Sequence, residues 1–289
     1  MKLLFAPFLA LLLCTSCATA SRVPATAQAA APQADTLAAE SFAYADTSGN
    51  VRSSVTAFLP TASTPLADSI RAFANRALAD DAAFATWEGN KHITRAFSGD
   101  LRDAQSLVNF YGRENHAALR ASLKEMQEEN PEAFSDMRLD YTITVRKESE
   151  TPRYVNYNVN SYQYSGGAHG GSTIYTTTFL KPSGKQLSYP IDTTRLEDLQ
   201  PILRAGAARY FVECGETSAT AANIYRFLLI DPTDPIPLPA FAPCLTPAGV
   251  SFTYQQYEIA CYAAGLVSFT VPYDQIRPFL TADALRAIE

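Results

Sequence analysis

The clearest pattern along the chain is strict alternation of apolar and polar residues. Leu139, Tyr141, Ile143 and Val145 alternate with Asp140, Thr142, Thr144 and Arg146, the period of a strand with one face buried. Val155, Tyr157 and Val159 alternate in the same way with Asn156, Asn158 and Asn160. A glycine-rich turn from Gly166 to Gly171 then leads to a third strand, Thr173 to Leu180, and Pro182-Ser183-Gly184-Lys185 turns the chain tightly into a short fourth. Nearer the start, Phe42 to Asp46 and Val51 to Leu59 read as two strands joined by a Ser48-Gly49-Asn50 turn.

Other stretches carry the helical period. Thr64 suits an N-cap and Pro65 the first helical position, after which Leu66, Ile70, Phe73, Ala74, Ala77 and Leu78 fall on one face. Leu101, Ala104, Val108, Tyr111, Leu119, Leu123 and Met126 predict a second helical stretch from Asp100 to Glu129, ended by Pro131. Leu196, Leu199, Leu203, Ala207, Tyr210 and Phe211 predict another from Arg195 to Glu213. A proline-rich connector, residues 232–243, precedes strands at Val250 to Tyr254 and Leu266 to Val271, and Tyr273, Ile276, Phe279 and Leu280 suggest a short terminal helix. Strands and helices cluster instead of alternating. That order predicts an α+β fold, with a largely antiparallel sheet packed with helices in two intimately associated subdomains. No internal repeat is visible.

The first residues follow a different pattern. Lys2 precedes an apolar run, Leu3 to Leu13, broken only by Pro7. The run is too short to cross a bilayer and fits the apolar part of an export signal. Thr15 and Ser16 lead to Cys17, which is expected to carry a lipid after removal of a signal peptide, residues 1–16. Cys14 stands where such a cleavage box usually has leucine, so the alternative is a secretory signal cut near Ala18 or Ala20. Residues 17–40, mostly Ala, Thr, Pro, Gln and Ser, predict a flexible tether. The non-acidic Ala18 and Thr19 favour an outer-membrane anchor facing the periplasm, with the lipid as the only membrane attachment.

Composition narrows the function. Apolar residues make up 47% of the chain and aromatic residues 11%, enough for a sizeable core. The net charge of −6 and the lack of a basic stripe exclude a nucleic-acid binder, whereas an acidic surface suits a basic protein partner. Three cysteines remain in the body, Cys214, Cys244 and Cys261. Export permits disulfides, but three cannot all pair within one chain. Cys244 and Cys261 flank the hairpin-like stretch around Val250 to Tyr254 and are the preferred pair, although spacing does not fix connectivity. No CxxC or Cys/His cluster occurs, and His92, His116 and His169 share no ligand spacing, so neither a metal nor another cofactor is expected.

Two segments carry a family likeness. The first is YQYSGGAHGG, Tyr162 to Gly171, followed by the Ser183-Gly184-Lys185 turn. The second is GVSFTYQQYEIACYAAG, Gly249 to Gly265, followed by FTVPYDQI, Phe269 to Ile276. Together they resemble the domain-of-unknown-function family found at the extracytoplasmic C-terminus of the anti-sigma factor RsiV. The region from Phe42 to about Val145 resembles the companion domain that usually precedes it, also named after the deacetylase PdaC. The resemblance divides the body into a companion domain, 41–150, and an RsiV C-terminal-like domain, 151–289. It implies an α+β domain of binding type. In RsiV the related domain recognises lysozyme, so a protein ligand such as lysozyme, or a cell-wall component, is the implied partner. Signalling as in RsiV is not expected, because no sigma-binding region or transmembrane helix is seen. The activity of PdaC belongs to a separate domain, whose metal-binding Asp/His motifs are not seen either. Cys261 stands where the family commonly has proline, a second reason to pair it with Cys244.

Candidate site residues follow from these segments. Histidine is the side chain most easily tuned for proton transfer near neutral pH, but His169 sits among Gly166, Gly167, Gly170 and Gly171, where an imidazole often serves the loop. Ser165 and Ser172 lie close, without a nucleophile-elbow pattern. Tyrosine is a good interface residue, being large, stiff and amphipathic. Tyr162 and Tyr164, beside the loop, and Tyr257, in the second segment, are therefore the expected ligand contacts together with His169. Glu258 is expected to brace its loop. Glu128 with Glu129 and Asp80 with Asp81 point in different directions on helices and read as solvated charges. The reading is a non-enzymatic, envelope-anchored binding lipoprotein. The alternative is a cell-wall glycan hydrolase or deacetylase using His169.

Overall fold

The computed structural model describes residues 36–84 and 96–289. Cys17, the signal segment, most of the tether and His92 lie outside the described residues. The described residues form one compact unit, a mixed α+β fold built on a mostly antiparallel sheet.

Six strands pair in sequence order: β1 (Ala39–Asp46), β2 (Val51–Pro60), β3 (Leu139–Glu150), β4 (Tyr154–Tyr164), β5 (Gly171–Leu180) and β6 (Lys185–Gln186). Every neighbouring pair is antiparallel except β2 and β3. A parallel pair needs a crossover, and two helices supply it, α1 (Pro65–Phe84) and α2 (Ala104–Glu129). β1 begins at Ala39, so the last two residues expected in the tether are already strand. Gly49 and Asn50 hold φ of 65° and 60°, the paired left-handed geometry that a two-residue hairpin turn needs. Thr64 Oγ1 accepts the Ala67 N–H at 3.2 Å, capping α1, and Asp103 does the same for α2 with Ser106 N–H at 3.0 Å. A one-turn helix, α3 (Pro131–Phe134), begins at Pro131 itself, capped by Asn130.

The alternating apolar residues of β3 and β4 face α1 and α2. Leu139, Tyr141, Ile143, Val145, Val155, Tyr157 and Val159 pack there with Ile70, Phe73, Leu78, Leu107, Val108 and Tyr111. Each such burial contributes about 2 kcal/mol. His116, on α2, is buried between Ser48 Oγ at 3.0 Å and Ser53 Oγ at 3.2 Å, so it ties α2 to the first hairpin. Asp81 departs from the expected solvated charge. It is half-buried at the end of α1 and accepts Tyr141 Oη at 2.7 Å and Ser161 Oγ at 2.6 Å.

A second core lies beyond the sheet. α4 (Leu196–Glu213) packs on a three-stranded antiparallel sheet, β7 (Cys244–Thr246), β8 (Gly249–Thr253) and β9 (Ser268–Pro272). The expected terminal helix is split into α5 (Tyr273–Ile276), a 3-10 turn at Arg277–Phe279 and α6 (Ala282–Ile288). The large sheet runs unbroken across residue 150, and Val155, Tyr157, Val159 and Phe179 belong to the first core. The second core starts from Tyr154 and Leu187. The two cores therefore interleave in sequence.

Side-chain amides join the two parts. Asn156 Nδ2 donates to Leu245 O at 2.6 Å while its Oδ1 accepts Thr178 Oγ1 at 2.8 Å, and Leu245 N–H donates to that same hydroxyl at 3.2 Å. Gln255 reaches the edge of β5, accepting Ile174 N–H at 3.0 Å and donating to Ile174 O at 2.9 Å. Gln200 treats Ile236 alike, at 2.8 and 2.9 Å, and so anchors the proline-rich connector. Each pairing satisfies backbone groups that would otherwise be buried without partners.

Candidate functional site

The glycine loop between β4 and β5 and the turn after β8 meet at one end of the large sheet. Gly166 and Gly167 hold φ of 100° and 89°, a region open to glycine and strained for other residues. Their freedom lets the loop fold back so that Tyr164 Oη donates to Gly167 O at 3.0 Å. The Tyr162 ring lies over Gly170, where a Cβ would collide with it. The opposite segment is docked on β5 by Gln255 on Ile174 and by Gln256, whose side chain accepts Ser172 N–H at 3.0 Å. Glu258 braces the turn, accepting Gln255 N–H at 2.7 Å and Ala240 N–H at 2.6 Å.

This docking brings His169 and Tyr257 together. Tyr257 Oη and His169 Nε2 stand 3.4 Å apart, and His169 Nδ1 lies 3.0 Å from Gly170 O. Tyr262 completes the group. Its ring stacks on the imidazole with centroids 3.7 Å apart and lies 5.9 Å from the ring of Tyr257. Tyr257 is 57% exposed and holds φ of 64°. A left-handed backbone at a residue other than glycine costs about 1 kcal/mol and is typical of functional positions. The turn that holds it so is braced by the two backbone bonds of Glu258. The outcome is a ridge of three rings with Tyr162 exposed beside the same loop.

The chemistry of His169 is limited by these neighbours. Its two nitrogens meet a backbone carbonyl and a phenol, and neither partner is a carboxylate or an aliphatic hydroxyl. A nucleophilic relay needs both a base and an orienting group within hydrogen-bond reach. Among the described residues no three His, Cys, Asp or Glu are grouped to hold a metal ion.

The expected cysteine pair is not formed. Cys244 is buried in β7 and Cys261 is exposed at the start of the 3-10 turn Tyr262–Ala264, and both are free thiols, as is the exposed Cys214. Burial, reinforced by the Glu148 carboxylate, pushes the Cys244 thiol up to about 12. One side chain faces an inter-sheet groove and the other faces solvent.

Of the four residues expected to contact a ligand, all lie on or against the one loop, and His169 and Tyr257 touch. Tyr262 and the two glutamines were not singled out from the pattern. Their signal is position: Gln255 and Gln256 stand between two tyrosines where a strand ends, and Tyr262 follows five residues after Tyr257.

Residues 232–274 match the family described as Protein of unknown function (DUF3298). The match includes the whole second segment, from the proline-rich connector through β9. Solved structures that share the fold include the following two. A DUF3298 family member from Bacteroides fragilis superposes with a TM-score of 0.61 at 19% identity, over 87% of this chain and 98% of that one. A DUF3298 family protein from Pseudomonas aeruginosa superposes with a TM-score of 0.55 at 13% identity, over 87% of this chain and 97% of that one. No curated protein matches the chain.

Proposed function

We propose that this chain is a non-enzymatic, envelope-anchored binding module, tethered through a lipid on Cys17, whose recognition surface is the ridge of His169, Tyr257 and Tyr262 with Tyr162 and Tyr164. The observation that carries the reading is the convergence of two segments about ninety residues apart in sequence on one exposed aromatic group. Rigid aromatic side chains give large contact area at small entropic cost. The loops that present them are held by backbone and amide bonds, so little ordering remains to be done on binding. The negative charge of the chain favours a basic protein over a nucleic acid, and the RsiV resemblance names lysozyme as the first ligand to try.

The test is calorimetric titration of lysozyme into the full chain carrying Cys17→Ala, which removes lipidation. Saturable micromolar or tighter binding is expected. His169→Ala with Tyr257→Ala should weaken it about tenfold or more, as loss of aromatic anchors does, with an unchanged melting temperature. Equal affinity in the double variant would move the site elsewhere, and no binding in either protein would detach the chain from this ligand.

A further inference from the structure

A separate feature lies midway along β5. The outer faces of the two sheets stand apart there and leave a groove of about 480 Å³, a size common for ligand sites. It is about 17 Å along the strand from the aromatic ridge, counting from Gly171 to Thr176 at strand rise, and the inference does not rest on the ridge.

Three observations define what the groove accepts. First, the register between β3 and β4 shifts between Lys147 and Ser149, so Glu148 is the extra residue of a β-bulge. Bulges re-aim side chains and concentrate beside functional sites. Here the bulge directs Glu148 to the groove, where one carboxylate oxygen accepts Thr176 Oγ1 at 2.7 Å and the other has no protein partner among the described residues. Second, Asn158 is only 5% exposed, and its Nδ2 donates to the same Thr176 hydroxyl at 3.1 Å and to Tyr175 O at 3.3 Å. Its Oδ1 likewise has no protein partner among the described residues. The two open acceptors thus belong to side chains that meet at one hydroxyl. Third, Phe241 lies flat on Tyr175, with centroids 4.0 Å apart and planes within 1°, and forms an apolar wall. Neither lysine nor arginine lines the groove.

Open acceptors, one of them a carboxylate, call for a donor that carries positive charge. An apolar wall beside them calls for a hydrocarbon stem. We infer that the groove binds a lysine or arginine side chain of a protein partner, with its head between Glu148 and Asn158 and its stem along Phe241. Cationic side chains bury their stems and keep their heads on polar groups in this way, and a desolvated charge needs an opposite charge to pair with.

The test uses the full chain with Cys17→Ala and short blocked peptides, Gly-Arg-Gly and Gly-Lys-Gly, followed by NMR. Shifts at Asn158, Thr176 and Phe241 should saturate with both. The citrulline and norleucine analogues, which keep the shape and lack the charge, should bind about tenfold more weakly or not at all. Glu148→Gln keeps an acceptor for Thr176 at an exposed site and should cause a similar loss, while Glu148→Lys should abolish binding. Equal titration by charged and neutral peptides, or an unaltered affinity in Glu148→Gln, would overturn the inference. So would tighter binding of a neutral N-acetylglucosamine oligomer, which would assign the groove to glycan.

Discussion

At the scale of single residues, the side chains that depart from the simplest pattern are the informative ones. Asp81 reads as one of two helix-surface charges, yet Tyr141 and Ser161 both donate to it from the sheet. Burial raises its carboxyl above the ordinary value, while those two hydroxyls pull the other way. Burial and the Asp81 carboxylate together hold the Tyr141 hydroxyl well above its usual range. A carboxyl whose folded pKa is raised binds its proton more tightly in the folded state, so it costs stability above that pKa and ceases to do so below the unfolded value. Asp81→Asn removes the titration. As pH falls from 7 toward about 3, the span of carboxylate titration, the wild type should therefore gain stability relative to the variant, as read from paired denaturant melts. A gap that stays constant with pH would show that Asp81 carries no such penalty. At Tyr257 the unusual backbone and the exposure coincide, and sequence gives only the second hint. A tyrosine rich segment is legible, but which tyrosine is held out depends on Glu258 reaching Ala240 in the connector.

At the scale of elements, one face of each strand was legible and the other was not. Alternation identified Val155, Tyr157 and Val159 as inward residues because burial imposes a period of two. By the same rule Asn156 and Asn158 belong to the wet face, yet both are buried, since β7 and the connector cover that face of the sheet. Periodicity reports how many apolar residues face a core and is silent on a polar face covered by a second layer. Loss of the alternation after Arg146, through Lys147, Glu148, Ser149 and Glu150, was the visible trace of the bulge. The Asn156 clamp makes a direct prediction. Asn156→Ala leaves the Leu245 carbonyl and the Thr178 hydroxyl short of a partner in a dry site, which costs about 2–3 kcal/mol. For a chain of this size that is a fall in melting temperature of roughly 5–10 °C by calorimetry. A fall under about 2 °C would mean that water replaces the amide and that the sheets are joined by apolar packing alone.

At the scale of the whole molecule, the order of elements disclosed the α+β class, because clustered strands and helices allow few other architectures. It did not disclose how the parts interlock. The large sheet crosses residue 150, and the second core borrows Tyr154 from β4, so the two halves of the body share a sheet instead of abutting. The same interlock creates both candidate surfaces along β5, the aromatic ridge at its start and the acidic groove at its middle. Neither can be seen in sequence, because His169 meets Tyr257 only after the second sheet has docked, and Glu148 meets Thr176 only across β4, once the bulge and the strand register have formed. The measurement that bears most directly on the proposed role is hydrogen–deuterium exchange of the full chain with Cys17→Ala, with and without saturating lysozyme. The account predicts slowed exchange in peptides covering Tyr162 to Gly171 and Tyr254 to Tyr262, with little change on the opposite side over α1 and α2. Protection confined to other segments, or none at a concentration where lysozyme is in excess, would contradict it.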